Sequence, residues 1–199
     1  ELMTKGFTLG GKKMDATILF ADIFSFTTYA EQHDATEVLE FLNEYFAAMF
    51  DPISAHGGIV NQMIGDGLMA VFGTIHRKGN SCEQAVLTAI EMIAVLKKLN
   101  QKRAGEGKAQ IRIGIGIACG RVVAGYAGTQ HRATYTCVGD AVNLAARIES
   151  YTREVNRPIL IDAYTRASLP DSIPVDSLGK IHLKGKRLPV RIYSVRVDP

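Results

Sequence analysis

The stretch Asp15–Thr27, DATILFADIFSFT, constrains this chain more than any other. An apolar β-type run, Ala16 to Ala21, drives into Asp22, and a Phe24-Ser25-Phe26-Thr27 turn follows. A carboxylate placed there among apolar residues is costly to bury unless a cation or hydrogen bonds satisfy it. Asp66, in Gln62-Met63-Ile64-Gly65-Asp66-Gly67, stands in a similar setting. Two acids at the ends of neighbouring strands could hold two divalent cations about 3.5–4 Å apart, the arrangement that stabilises in-line attack on a phosphoryl group. The plainer alternative is that Asp22 caps the following helix and Asp66 serves a hairpin turn, since Asp is favoured at both. The turn after Asp22 leads to a helix N-terminus, whose unpaired N–H groups suit phosphate, or it is an ordinary strand-to-helix connection with buried phenylalanines.

Composition narrows the class. With 199 residues, 47% apolar and 22% charged, the chain has the make-up of one globular domain with a core of its own. A formal charge of +3 is too small to imply nucleic acid but suits an anionic substrate such as a nucleoside triphosphate. The cysteines, Cys82, Cys119 and Cys137, are odd in number without C-x-x-C spacing, so they read as buried fillers in a reducing compartment. No apolar run approaches the roughly 18 residues that span a bilayer. The chain starts at Glu1, and the expectation is a cytoplasmic catalytic domain from a longer protein with an upstream regulatory domain, any membrane anchor lying outside it.

Residues 1–13 are expected to be a lead-in or linker remnant, and 14–199 the catalytic domain. Asp15–Ile23 is the first strand. Helical spacing from Thr27 onward, with a break at His33–Thr36, predicts two helices ending near Pro52 and Gly57-Gly58. Gly58–Met63 and Leu68–Phe72 form a hairpin about Asp66-Gly67. Cys82–Arg103 is an amphipathic helix. Gln110–Ala118 is a strand, with Gly120–Ala127 pairing back on it, and Gly128–Arg132 is a polar loop. Then come a strand Tyr135–Val138, a helix Asp140–Thr152, a strand Ile159–Asp162, a short helix Ala163–Leu169, and closing strands at Lys180–Lys184 and Val190–Val197. This order predicts an α+β fold: a ferredoxin-like βαββαβ core with extra C-terminal strands, its helices on one face of a mostly antiparallel sheet. Gly114-Ile115-Gly116 is no dinucleotide loop, because no third glycine follows at the right spacing and no helix starts there.

Asn143 and Arg147 are spaced i, i+4 on the helix Asp140–Thr152 and share a face. An amide and a guanidinium together could hold a ribose oxygen and a developing phosphoryl charge, and a solvated surface pair has the same spacing. No K/R-G-F/Y-G/A-F strand signature points to RNA, and no GGDEF-like motif is present.

Four segments, LFADIFSFT, NQMIGDGLMAVFG, TYTCVGDAVNLAARIES and HLKGK, occur in this order. From about Asp15 to Val197 the chain resembles the class III nucleotidyl cyclases, the adenylate and guanylate cyclase catalytic domains, most closely the bacterial adenylate cyclases. The resemblance implies a homodimer with shared active sites. Asp22 and Asp66 would bind two Mg2+ or Mn2+ ions in one subunit, with the Ile23 carbonyl as a further ligand. Phe24, Ser25, Phe26 and Thr27 would line the triphosphate. Asn143 and Arg147 would come from the other subunit, orienting ribose and stabilising the transition state. Lys184 matches the family lysine for the terminal phosphates, and Arg121 resembles an arginine at a phosphate-facing turn. For both, a solvated strand-end charge is the alternative. The reaction implied is that of a phosphorus–oxygen lyase: the ribose 3′-hydroxyl attacks the α-phosphorus, expels pyrophosphate and closes a 3′,5′-cyclic monophosphate for signal transduction.

The base pocket departs from the pattern. Family adenylate cyclases usually carry Lys where Gln62 stands and Asp or Thr where Thr136 stands; guanylate cyclases carry Glu and Cys or similar. Thr136 fits the adenine pattern and Gln62 fits neither. Gln can present donor or acceptor by turning its amide, and Thr can do both, so strong rejection of the wrong base is missing. The expectation is ATP as the main substrate with measurable GTP turnover. The alternatives are a guanylate cyclase and a catalytically weak nucleotide-sensing module.

Overall fold

The fold of residues 10–74, 79–129 and 133–197 is described by a computed structural model. Residues 1–9 of the expected lead-in and residues 130–132 of the expected polar loop lie outside these ranges. In chain order the elements are β1 (Gly10–Ile23), α1 (Phe26–Gln32), α2 (Ala35–Ala55), β2 (Ile59–Ile64), β3 (Gly67–Phe72), α3 (Ser81–Gly105), β4 (Ile113–Gly128), β5 (Ala133–Val138), α4 (Asp140–Val155), β6 (Ile159–Asp162), α5 (Ala163–Ala167), β7 (Val175–Ile181) and β8 (Val190–Val195). One eight-stranded sheet runs β2-β3-β1-β4-β6-β8-β7, with β5 paired to β4. All its pairings are antiparallel except that of β4 with β6. The expected α+β βαββαβ core is therefore present, from β1 to β4, and β6, β7 and β8 are its C-terminal extension.

Central strands β1 and β4 are apolar on both faces, and each face closes its own core. Leu19, Ala21 and Ile23 join Ile113, Ile115 and Ile117 under α2 and α3, where Tyr45, Met49 and Met92 are fully buried. Each of the two methionines contributes about 1.5–3 kcal/mol on burial. On the other face Ala16, Ile18, Ala118 and Val122 pack with Leu144, Ala145 and Ile148 of α4. Helices thus cover both faces, which corrects the one-face expectation. The reason lies in the alternation Ile113-Gly114-Ile115-Gly116-Ile117. Its isoleucines fill one core, and its glycines leave α4 room to approach the strand backbone on the opposite face. A Cβ at Gly116 would stand 2.1 Å from the Glu149 nitrogen and 2.4 Å from the Ala145 carbonyl oxygen.

Further differences share one cause. Gln110–Ala118 and Gly120–Ala127 do not form a hairpin; the chain runs straight through Cys119-Gly120 as one strand. This is because β1 pairs with β4 along its whole length, from Gly10 opposite Tyr126 to Ile23 opposite Ile113. The same pairing draws Gly10–Lys13, expected as lead-in, into β1. Helix starts follow their caps: the Asp34 carboxylate accepts from the Thr36 and Glu37 amides at 2.7 and 3.1 Å, and Asn80 does the same for α3. α2 continues through Pro52 to Ala55. β7 ends at Ile181, so Lys184 lies in a turn made by Gly185 at φ 75° and a Lys186 N–H to Leu183 carbonyl bond of 3.0 Å.

Because the atoms nearest a Gly116 Cβ belong to the helix backbone, Gly116→Val is expected to cost about 3 kcal/mol or more. Gly105→Ala, with nothing within 4 Å of its new methyl, should change stability by about 1 kcal/mol or less. Thermal or urea unfolding of the two variants checks both values.

Candidate active site

The hairpin between β2 and β3 carries Asp66 to the end of β1. Ile64 pairs with Gly67, so Gly65 and Asp66 form the two-residue loop, and Gly65 takes the positive φ of 62° that such a turn needs at its first position. Asp66 is thus a turn residue, but its carboxylate is not spent on the turn. Its Oδ2 accepts from the Ile23 N–H at 3.1 Å, the same N–H that the Asp22 Oδ1 takes at 3.1 Å. Asp22 does not cap α1, whose N-cap is Ser25 with no side-chain bond and a left-handed φ of 60°. Asp22, Ile23 and Asp66 are therefore brought together. Burial first, then the Asp22 carboxylate beside it, pushes Asp66 up to about 7.

Two residues absent from the sequence reading stand over Asp22. Arg153 of α4 reaches Asp22 Oδ2 at 2.7 Å through one guanidinium nitrogen and Glu149 Oε1 at 2.7 Å through another. Glu149 is 6% exposed, and burial pushes its carboxyl up to about 7 against the pull of Arg153. The signal for them was an i, i+4 acid–base pair, common on solvated helices; what marks this one is its seat over Gly114 and Gly116, visible only in the fold. The guanidinium groups of Arg112 and Arg153 both lie against the Phe24 ring, at 5.3 and 5.2 Å from its centre. Below, the Tyr45 hydroxyl is buried without a partner among the described residues and stays protonated, its pKa raised by burial and by the nearby acids.

Hard oxygen donors in a pair that one N–H and one guanidinium only partly neutralise fit a divalent cation such as Mg2+ or Mn2+. Among the described residues no cluster of three or more His, Cys, Asp or Glu side chains is placed for a metal. Any such site would draw on this pair and on a backbone oxygen such as that of Ile23. Asp22, Gln62, Met69 and Glu149 line a cavity of about 180 Å³ beside the pair. A roomier one of about 550 Å³, between α3 and Phe24, has no carboxylate in its lining.

The remaining candidates fall elsewhere. Phe26 to Thr28 open α1, next to Phe24. Asn143 and Arg147 sit on α4, but Arg147 and Glu149 differ by about 200° around the helix and project to opposite sides. The Arg147 guanidinium meets the 183–186 turn, where a Cβ at Gly185 would stand 3.1 Å from Nη2, so it neighbours Lys184. Among the described residues no hydrogen bond or ion pair joins Asn143, Arg147 or Lys184 to Asp22 or Asp66. Arg121 is exposed beside Asp15 at 4.0 Å. Asp15 is roughly 23 Å from Asp22 along β1, so one chain does not bring Arg121 to the acids. Gln62 lies opposite Met69 in the hairpin, and Thr136 opposite Gly125 on β5.

In this α+β sheet two acids thus converge at a strand end, beside a turn and under an Arg-bearing helix. The profile of the family described as Adenylate and Guanylate cyclase catalytic domain matches residues 11–196, and the chain belongs to that family: it is a nucleotidyl cyclase catalytic domain. An adenylate cyclase of Anabaena cylindrica is 37% identical over 187 residues, covering 90% of this chain and 36% of that protein. Adenylate cyclase 1 of Rhizobium meliloti is 30% identical over 201 residues, 98% of this chain and 30% of that one. The chain thus spans about a third of the length of these relatives. In structure it is similar to the adenylyl cyclase CyaB from P. aeruginosa, at TM-score 0.88 and 31% identity over 96% of this chain and 98% of that one. It is also similar to the guanylyl cyclase Cya2, at 0.85 and 34% over 96% of each chain. Domains of this family generally use divalent metal ions, bind nucleotide substrates and often act as dimers. No described helix is long and apolar enough to cross a membrane.

Since the folded metal-free chain holds a proton on Asp66 more tightly than the unfolded chain does, this group's contribution to stability falls as pH rises from about 4 to 7. A cation that binds the ionised pair removes that loss. Mn2+ is therefore expected to raise Tm more at about pH 7.5 than at about pH 5, with the difference abolished in Asp66→Asn. Thermal unfolding at the two pH values, with and without Mn2+, is the check.

Proposed function

We propose that this domain converts ATP to 3′,5′-cyclic AMP and pyrophosphate at a homodimer interface, with two divalent cations per site and GTP as a slower substrate. The observation that carries the proposal is the convergence of Asp22 and Asp66 on one backbone N–H, at the entrance to the Phe24–Thr27 turn. The shared amide holds the two carboxyl groups together, an arrangement with little structural benefit unless a cation follows. The relatives' adenylate cyclase names favour ATP; the guanylyl cyclase among the similar structures and the Gln62–Thr136 pocket leave GTP as the second substrate.

In this mechanism Asp22, Asp66 and the Ile23 carbonyl hold the cations, Mg2+ or Mn2+. When bound, these supply Lewis-acid charge that lowers the pKa of the ribose hydroxyl and neutralises the α-phosphate. Phe24, Ser25, Phe26 and Thr27 line the triphosphate, and Lys184 takes its terminal phosphates. Arg121, exposed and distant within one chain, has a phosphate role only if a second copy supplies it. Asn143 orients the ribose and Arg147 meets the charge developing on the phosphoryl oxygens, both from the second copy. Support for a second copy is the split within one chain: Arg147 and Lys184 lie together, away from the acids. Gln62 and Thr136 read the base. Arg153, paired with Asp22, keeps a positive charge at the pair and is anchored by buried Glu149. A regulatory domain elsewhere in the full-length protein completes the proposal, with the catalytic domain in the cytoplasm.

Product analysis with ATP and GTP tests the activity. Cyclic AMP is expected to exceed cyclic GMP, and Asp22→Ala should lower turnover at least about 100-fold. Turnover of GTP equal to or above that of ATP would reverse the base assignment. For the dimer, Asp22→Ala and Arg147→Ala should each be inactive alone. Mixed, they should recover up to roughly a quarter of wild-type activity, the share of intact sites when copies pair at random. No recovery would place all the residues of a site in one chain.

A further inference from the structure

We propose that Asn61 is a positioning residue for base selection: its side-chain amide ties β2 to β5 and sets the spacing between Gln62 and Thr136. This rests on the cyclase function proposed above.

Asn61 Nδ2 donates to the Tyr135 carbonyl oxygen at 2.8 Å. The bond is not part of a sheet ladder. β2 is an edge strand and β5 pairs with β4, so β3, β1 and β4 separate them in the sheet order. Asn61 is free for this role because it occupies a bulge. The register steps from Val60 opposite Ala70 to Gln62 opposite Met69, and Asn61 is the extra residue whose side chain is re-aimed. Its Oδ1 is buried with no partner among the described residues. An unpaired buried acceptor is costly, and an apolar side chain would avoid that cost, so the Nδ2 donor is what the position retains. Tyr135 is held in turn by an edge contact with Tyr126, with ring centres 5.4 Å apart.

The tie connects the residues immediately before Gln62 and Thr136. An amide that can turn and a hydroxyl that can rotate each present donor or acceptor to a base, so their chemistry alone selects weakly. Selection must come from the distance and angle between them. Adenine and guanine present opposite donor–acceptor patterns at the edge being read, and only a fixed separation lets one pattern pair while the other leaves a polar group unpaired.

The test measures kcat/KM for ATP and for GTP, with Mn2+, in the wild-type chain, Asn61→Asp, Asn61→Ala and Asn61→Gln, together with Tm. Asn61→Asp removes the donor at constant shape, and Asn61→Gln retains an amide. The ATP-to-GTP ratio is expected to fall about threefold or more in Asn61→Asp and Asn61→Ala and by less in Asn61→Gln. A ratio unchanged from wild type, with both nucleotides slowed equally, would show a merely structural residue and overturn the inference. The ratio of affinities for fluorescent ATP and GTP analogues gives the same discrimination for a variant too slow to assay. A wild-type chain that turns over neither nucleotide overturns the cyclase proposal itself, an outcome distinct from an unchanged ratio.

Discussion

The structure depends on the full-length antiparallel pairing of β1 with β4. That pairing sets Asp22 opposite Gly114, where no side chain stands between the strand and the helix above it. Gly114 and Gly116 let α4 sit on the sheet at backbone distance, and this closeness brings Glu149 and Arg153 over the acid at the strand's end. The isoleucines between the glycines anchor the opposite face to α2 and α3. A single alternation in sequence thus serves stability on one face and the placement of charge on the other.

The charges at that end are balanced without being satisfied. Asp22 has Arg153 and a share of one N–H; Asp66 has the other share and a raised pKa. Glu149 is buried on the far side of the arginine and fixes its direction. An acid pair in this condition favours any event that adds positive charge between the carboxylates. Neutralising both acids internally would have stabilised the fold more and left nothing for a cation to do.

Much of the fold was legible because its periodicities are clean. The helices, the β2–β3 hairpin and the strand at Ile159–Asp162 fall where apolar spacing and turn residues put them. What misled was Cys119-Gly120, which looks like a break but is spanned by a partner strand fourteen residues long. The sequence weighed turn and cap against catalysis for Asp22 and Asp66. Asp66 is a turn residue whose carboxylate also accepts from the Ile23 N–H, and Asp22 does not cap α1. Gly114 and Gly116 could be excluded as a dinucleotide loop, but their use as a helix seat required knowing which helix lies above. Arg153 and Asn61 were invisible for the same reason. A helical ion pair and a strand asparagine carry no signal until their cross-fold partners, Asp22 and the Tyr135 carbonyl, are in place.

The central claim is that Asp22 and Asp66 hold two divalent cations for nucleotide chemistry. Mn2+ titration followed by electron paramagnetic resonance, with a non-cyclisable ATP analogue bound, measures this directly. Two protein-bound ions per site with dipolar coupling between them, both lost in Asp22→Ala, are the predicted result. A single uncoupled ion, or two that persist without Asp22, would contradict it.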